Sequence, residues 1–237
     1  MLTLSPLGQS LFFFTRSAKH GIVPIDIFKS LQLCGESTLK VILSRLLKKG
    51  ALIKLKNGLY SWNVEGGGVE DFFYASQATY DGYLGFSTAL YLHGLTDQYP
   101  FTLFVVTPNK SASKRIGDVE LKAVAMHKRA IGTHQLGDYL VSTVPKTLYD
   151  CFHLPEYSGG LSVILRAVYE AKLNESQWRE FLTYVDKFES QASKKKIGAY
   201  LNLLKETDRP VPAWVVSQLG KANLKLDKNE LLSWWFA

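Results

Sequence analysis

The stretch LIKLKNGLYSW, residues 52–62, decides how the first quarter of this chain is read. Two short runs rich in β-forming residues flank Asn57-Gly58, with Lys54 and Lys56 just before the turn. Asn-Gly between alternating residues is the strongest short-range signal for a β-hairpin. Leu52, Leu55, Leu59 and Trp62 can supply the inward contacts, which leaves the two lysines facing solvent.

Upstream of the hairpin the period changes from two to 3.6. Between Glu36 and Lys49, the residues Leu39, Ile42, Leu43, Leu46 and Leu47 fall at i, i+3, i+4, i+7 and i+8. They form one continuous apolar stripe of a helix. The other side carries Ser37, Lys40, Ser44, Arg45 and Lys48, and Gly50 stands where a helix C′ residue belongs. Pro24 suits the first turn of a short helix over 24–31, and Gly21 separates it from a first helix over 4–15. Three helices followed by a hairpin in about 60 residues is the element order of a winged helix-turn-helix, in which the hairpin is the wing beside a recognition helix.

The charge is placed to match. Residues 1–62 hold nine basic side chains (Arg16, Lys19, Lys29, Lys40, Arg45, Lys48, Lys49, Lys54, Lys56) and two acidic ones (Asp26, Glu36). That surplus of seven equals the net charge of the whole chain, +7, so residues 63–237 are neutral. A polyanion-binding module joined to a neutral body is the expected arrangement. Lys and Arg on one surface bind duplex DNA by displacing condensed counterions. A helix laid in the major groove presents its N-terminal residues to base edges, here Ser37 and Thr38 after Glu36, then Lys40, Val41, Ser44 and Arg45 along the exposed face. Lys48 and Lys49 at the far end suit phosphates, and Lys54, Lys56 and Asn57 on the wing suit phosphates or the minor groove.

The remaining composition, 46% hydrophobic and 21% charged over 237 residues, is that of a globular protein with enough apolar side chain for a core. The apolar run LFFF, 11–14, is far too short for a membrane span, and no signal-peptide pattern opens the chain. Cys34 and Cys151 share no ligand spacing and read as reduced thiols of a cytoplasmic protein. NVEGGGVED, 63–71, looks like a linker, followed by a helix near 69–79. YLGFSTALYLHGL reads as a short strand or turn and a small helix, with Ser87 near its start and Gly94 after its end. FTLFVVT (101–107), VELKAVAM (119–126) and DYLVSTV (138–144) are β-rich, with PNKSASKR (108–115) as a polar loop between the first two. Helices are expected near 145–153, 160–172, 174–187, 191–205 and 212–219, and the apolar tail LLSWWFA should be docked. The fold class is therefore α+β: a winged helix-turn-helix over 1–62, a linker and connecting helix over 63–82, and over 83–237 a C-terminal domain with a small β-sheet and a helical second half.

Catalytic signals are weak. Glu120-Leu121-Lys122 and Glu170-Ala171-Lys172 have the acid-x-Lys spacing of metal-dependent nucleases, but chance alone supplies roughly two such triplets in a chain of this composition. The histidines at 20, 93, 127, 134 and 153 lack metal-ligand spacing, and no phosphate-binding or nucleophile motif is present. Neither a cofactor nor a metal is expected. SKKKIG, 193–198, is a basic cluster in a helical region that reads first as a solvated face.

Three stretches together resemble one family. STLKVILSRLLKKGALIKLKNGLYSW, with Gly58-Leu59-Tyr60 closing the wing, resembles the N-terminal winged helix of the AbiEi antitoxins of type IV toxin–antitoxin systems. YLGFSTALYLHGLTDQYPFTLFVVTP resembles the next landmark of that family through Ser87, Ala89, Leu90, His93, Gly94 and Leu95. VSTVPKTLYDCFHLPEYSGG is similar to a later strand–helix–Pro segment through Lys146, Leu148, Asp150 and Pro155. The match runs over about residues 20–160 and more loosely to about 205. The resemblance implies a cytoplasmic, non-enzymatic autorepressor that binds double-stranded promoter or operator repeats through the winged helix. It also implies a C-terminal domain that counters a nucleotidyltransferase-like toxin functionally rather than through a stable complex. His93 matches a family position but sits on an apolar helix end, which suggests a packing role. The alternatives are a nucleic-acid-processing enzyme that uses the winged domain to dock substrate, and a protein- or ligand-binding module.

Overall fold

The computed structural model describes residues 4–64 and 68–220. Along the chain run α1 (Pro6–Ser17), β1 (Ile22–Pro24), α2 (Ile25–Ser30), α3 (Glu36–Lys48), β2 (Leu52–Lys56) and β3 (Leu59–Trp62). Then come α4 (Phe72–Thr79), β4 (Tyr83–Leu84), α5 (Phe86–Leu92), β5 (Thr102–Thr107), β6 (Ala112–Ile116) and β7 (Val119–Ala125). The rest comprises β8 (Thr133–Leu136), β9 (Tyr139–Ser142), α6 (Val144–His153), α7 (Leu161–Ala171), α8 (Glu175–Phe188), α9 (Gln191–Leu201) and α10 (Ala213–Leu219). The fold is mixed α+β, as the sequence indicates, and the described residues form two compact units, one from within 4–82 and 101–124, the other from within 83–100 and 125–220.

In the first unit, α1, α2 and α3 close over a core that includes Leu11, Phe28, Leu39, Ile42, Leu43 and Leu46. The helical period of α3 is realised as expected: its four buried residues are Leu39, Ile42, Leu43 and Leu46. The helix ends in a Schellman motif. Gly50 takes φ +68°, its N–H donates to Leu47 O at 3.0 Å, and the Ala51 N–H donates to Leu46 O at 2.9 Å. The expected hairpin is present, and β3 lies between β1 and β2 in an antiparallel three-stranded sheet. Gly58 takes φ +76° at the turn, where only glycine is unstrained, and its carbonyl accepts from the Ile25 N–H at 2.7 Å. That bond pins the start of α2 to the hairpin. The strand β1 carries no legible signal of its own, because three residues ending in a proline show no alternation; it exists by pairing Ile22 with Ser61 and Val23 with Tyr60.

The stretch 108–115 is not wholly a loop. Residues 112–116 form β6, paired antiparallel to β7 from Ala112↔Ala123 to Ile116↔Val119, and the strand order continues from β7 to β5. An edge strand with one exposed side needs no apolar alternation, which is why its sequence reads as loop. A second core joins Ile22, Leu55 and Leu59 to Val69, Ala75, Leu103, Ile116, Val119 and Leu121. The helix α4, N-capped by Asp71 accepting from the Tyr74 N–H at 2.9 Å, contributes Ala75 to it. The triple glycine read as linker falls largely outside the described residues. Residues 1–62 thus share a core with residues drawn from 69–80 and 103–121 of the same unit. Excised alone, they would uncover Ile22, Leu55 and Leu59, at about 1.5–3 kcal/mol for each side chain fully exposed. A chemical-denaturation midpoint for the fragment well below that of the intact chain is the expected result; equal midpoints would refute this.

The second unit carries strands in the order β4-β9-β8, with β4 parallel and β8 antiparallel to β9. Helices α5 to α10 surround a core that includes Leu90, Leu148, Ile164, Phe181, Val185 and Leu201. The expected helices appear within a few residues of their anticipated bounds, and α8 opens with a capping box of Asn174 and Gln177. No helix among the described residues is long and apolar enough to cross a membrane. The tail LLSWWFA lies outside the described residues.

The helix α6 carries charge into this core. Lys146 and Asp150, one turn apart, form an ion pair with both side chains 0% exposed. Lys146 Nζ also donates to the Tyr83 hydroxyl at 3.0 Å, and that hydroxyl donates to Asp150 Oδ2 at 3.4 Å. The rings of Tyr149, Tyr83 and Tyr184 stand 5.2, 5.7 and 5.7 Å from the ammonium. Burial pushes the Asp150 carboxyl up to about 6, opposed by the adjacent Lys146, and burial lowers Lys146. Around the cluster, Arg129 Nε donates to the Tyr149 hydroxyl at 3.2 Å, which donates to Glu189 at 3.0 Å. Glu189 also pairs with His153 at 2.8 Å.

Candidate nucleic-acid interface

Every residue read from the sequence as a DNA contact is exposed: Ser37, Thr38, Lys40, Ser44, Arg45, Lys48 and Lys49 on or just after α3, and Lys54, Lys56 and Asn57 on the hairpin. All belong to the first unit. The buried stripe of α3 forces this for the helical set, since residues off the stripe must face outward. Arg45 and Lys48 occupy the last turn, where they oppose the partial negative charge of the helix end, and Glu36 occupies the first. Val41, 48% exposed between Lys40 and Ser44, is an apolar side chain on the same outward face.

Some of the basic surplus is already engaged within the protein. Arg16 lies over the Trp62 ring at 5.3 Å. Lys29 sits 3.3 Å from Glu36, and Lys56 sits 3.7 Å from Asp81 with both side chains exposed. Exposed pairs of this kind contribute little to stability.

One contact at this surface had no signature in the sequence. Lys114, on β6, donates its ammonium to the backbone carbonyls of Lys54, in a short contact, and of Leu55, at 3.0 Å. The lysine thus caps two carbonyls of β2. Burial, then the neighbouring Lys54, lowers its affinity for the proton. Nothing in residues 108–115 announces this, because it depends on β6 being paired to β7 and delivered to the hairpin.

The other sequence candidates are not gathered into a site. Glu120 and Lys122 alternate along β7 around buried Leu121, and Glu120 lies opposite Arg115. Among the described residues no group of three or more His, Cys, Asp or Glu side chains is placed to hold a metal ion. His93 Nε2–H donates to Ser142 O at 2.8 Å and its ring stacks on His134, which fits the packing role; burial lowers its pKa. Cys151 is buried, with its thiol pushed up to about 12, and both cysteines are free. Lys194 of the basic cluster pairs with Asp186 at 2.7 Å. The Lys146–Asp150–Tyr83 cluster is chemically rich, but the lysine and the aspartate expose no surface to a substrate. Its signal in the sequence is a Lys–Asp pair at i, i+4 on a helix otherwise buried nearly end to end. No protein-family model matches the chain, and no curated protein matches it either.

Proposed function

We propose that this protein is a DNA-binding transcriptional repressor of the AbiEi antitoxin type, and that α3 with the β2–β3 hairpin is a winged helix-turn-helix. In this reading α3 enters the major groove and the hairpin lies against the flanking backbone. One observation carries the proposal: the polar and basic face of α3 and the lysines of the hairpin are all exposed in one unit, over a core that holds the helix by its opposite face. The element order helix, strand, helix, helix, strand, strand, with the first strand against the last, is compatible with a winged domain. The role needs no catalytic group, cofactor or metal. A nucleotidyltransferase-like toxin, countered functionally, is the further partner the family resemblance suggests.

The test is binding to the duplex upstream of the protein's own reading frame, measured across a salt series. Each phosphate neutralised contributes about −0.9 to the slope of log affinity against log salt. Lys54 and Lys56 are exposed point charges, better suited to phosphates than to bidentate base recognition. A Lys54→Ala, Lys56→Ala chain is therefore expected to bind with a slope shallower by up to about 2, with the ranking of operator variants unchanged. An unchanged slope would remove the hairpin from the interface, and no binding by the wild type would remove the proposal.

A further inference from the structure

The β2–β3 ladder is not regular. Leu52↔Trp62, Ile53↔Ser61 and Lys54↔Tyr60 pair in step, and the next pair is Lys56↔Leu59. The strand β2 therefore advances two residues where β3 advances one, and Leu55 is the extra residue of a bulge. Strict alternation would set Lys54 and Lys56 on one face of the hairpin; the bulge instead turns Lys56 onto the face of its partner Leu59. Leu55 and Leu59 are both buried in the second core.

The two carbonyls that accept from the Lys114 ammonium are those of Lys54 and Leu55, the residues at the bulge. Side chains alternate along β6, so Lys114 shares a face with Ile116, which is buried in the same core as Leu55 and Leu59. A hydrogen bond from a charged donor is roughly twice as strong as a neutral one. Two of them from one ammonium tie the bulge to β6. A bulge bends its strand and increases the local twist, and what lies beyond this one is Lys56, Asn57 and Gly58, the tip of the hairpin. The contact has a cost, since partial burial and then the neighbouring Lys54 lower the ammonium's hold on its proton. A lysine placed only as a solvated charge would bear neither penalty.

We infer that Lys114 is a positioning residue for the hairpin: its ammonium holds the bulge of β2 and so fixes the direction in which Lys54 and Lys56 are presented to phosphates. It acts through the hairpin and does not itself touch the ligand. The inference rests on the DNA-binding function proposed above.

Two measurements on the full chain test this. Fluorescence anisotropy with a labelled duplex across a salt series reads the contribution of the hairpin lysines. A Lys114→Met chain is expected to bind with a slope shallower by up to about 2, as the Lys54→Ala, Lys56→Ala chain does. Added to that double variant, Lys114→Met should change the slope no further, because both substitutions remove the same contacts. A Lys114→Arg chain, which keeps the charge and the donors, should show the wild-type slope. Hydrogen exchange without DNA reads the hairpin itself: amides of residues 55–59 should exchange faster in the Lys114→Met chain, with those of α3 unchanged. A wild-type slope in the methionine chain would overturn the inference and leave DNA binding standing, as would unaltered exchange in the hairpin or an arginine chain as impaired as the methionine one. A further loss of about 0.9 in the slope on the double-variant background would also overturn it, since Lys114 would then meet a phosphate directly. Faster exchange throughout α3 would do the same, by showing a general loss of stability. A wild-type chain that fails to bind duplex DNA would overturn both the function and the inference.

Discussion

Replacing Lys146 by methionine is expected to destabilise the protein by about 3–5 kcal/mol, the usual cost of leaving one partner of a buried ion pair uncompensated. Asp150 is wholly buried, and without the ammonium its remaining partner among the observed hydrogen bonds is the Tyr83 hydroxyl at 3.4 Å. A Lys146→Met, Asp150→Leu chain should recover much of the loss, because two apolar side chains of similar size carry no desolvation penalty. Comparing the two variants therefore separates charge from volume. The pH dependence has a definite sign. Burial already holds the Asp150 carboxyl at about 6, above its ordinary value, and removal of Lys146 takes away the main influence that lowers it. A carboxyl whose folded pKa is raised favours the folded state at low pH and loses that contribution as the pH rises through the folded value. The deficit of the Lys146→Met chain should accordingly be smallest below about pH 4 and grow through neutrality. Urea-denaturation midpoints at a series of pH values read this directly. A deficit that stays flat with pH, or a double variant no more stable than the single one, would show that packing rather than charge dominates at this site.

The second large effect concerns recognition. On the DNA-binding function proposed above, Lys40→Ala and Ser44→Ala are expected to weaken binding to the operator by about 1–3 kcal/mol each, roughly 5- to 150-fold, with a much smaller loss on random duplex. Both side chains lie one turn apart on the exposed face of α3, flanking Val41, at the distance along a helix that meets successive base pairs. Neither is packed against the core, so the folded state should be unaffected. Competition binding with operator and scrambled duplexes distinguishes the cases. Equal losses on both would mean that this face meets only phosphates, and that another element reads the sequence.

Local chemistry made much of this protein legible. The stripe of Leu39, Ile42, Leu43 and Leu46 could only be buried as one face of a helix, and Gly50 could only end it in the left-handed region. Asn57-Gly58 announced the hairpin, and the prolines and apolar periods of residues 144–219 announced the helices of the second unit. For the same reason the exposed candidates on α3 and the hairpin were readable in advance: once the buried face is known, the other face follows.

What the tertiary structure alone decided are the long-range pairings. The strand β1 forms because β3 offers it an edge, and β6 forms because β7 does, although neither segment has a periodicity of its own. A strand's hydrogen bonds are satisfied by a partner that local sequence does not name. The same holds for the second core, where Leu55 and Leu59 meet Leu103 and Leu121, and for Lys114, whose ammonium finds the carbonyls of a strand about sixty residues earlier. Lys146 and Asp150 are the extreme case. Their i, i+4 spacing is visible in the sequence, but on an ordinary helix it would mark a solvated pair. Only the packing of Tyr83, Tyr149 and Tyr184 around them removes water and turns what would be a weak surface contact into a buried ion pair.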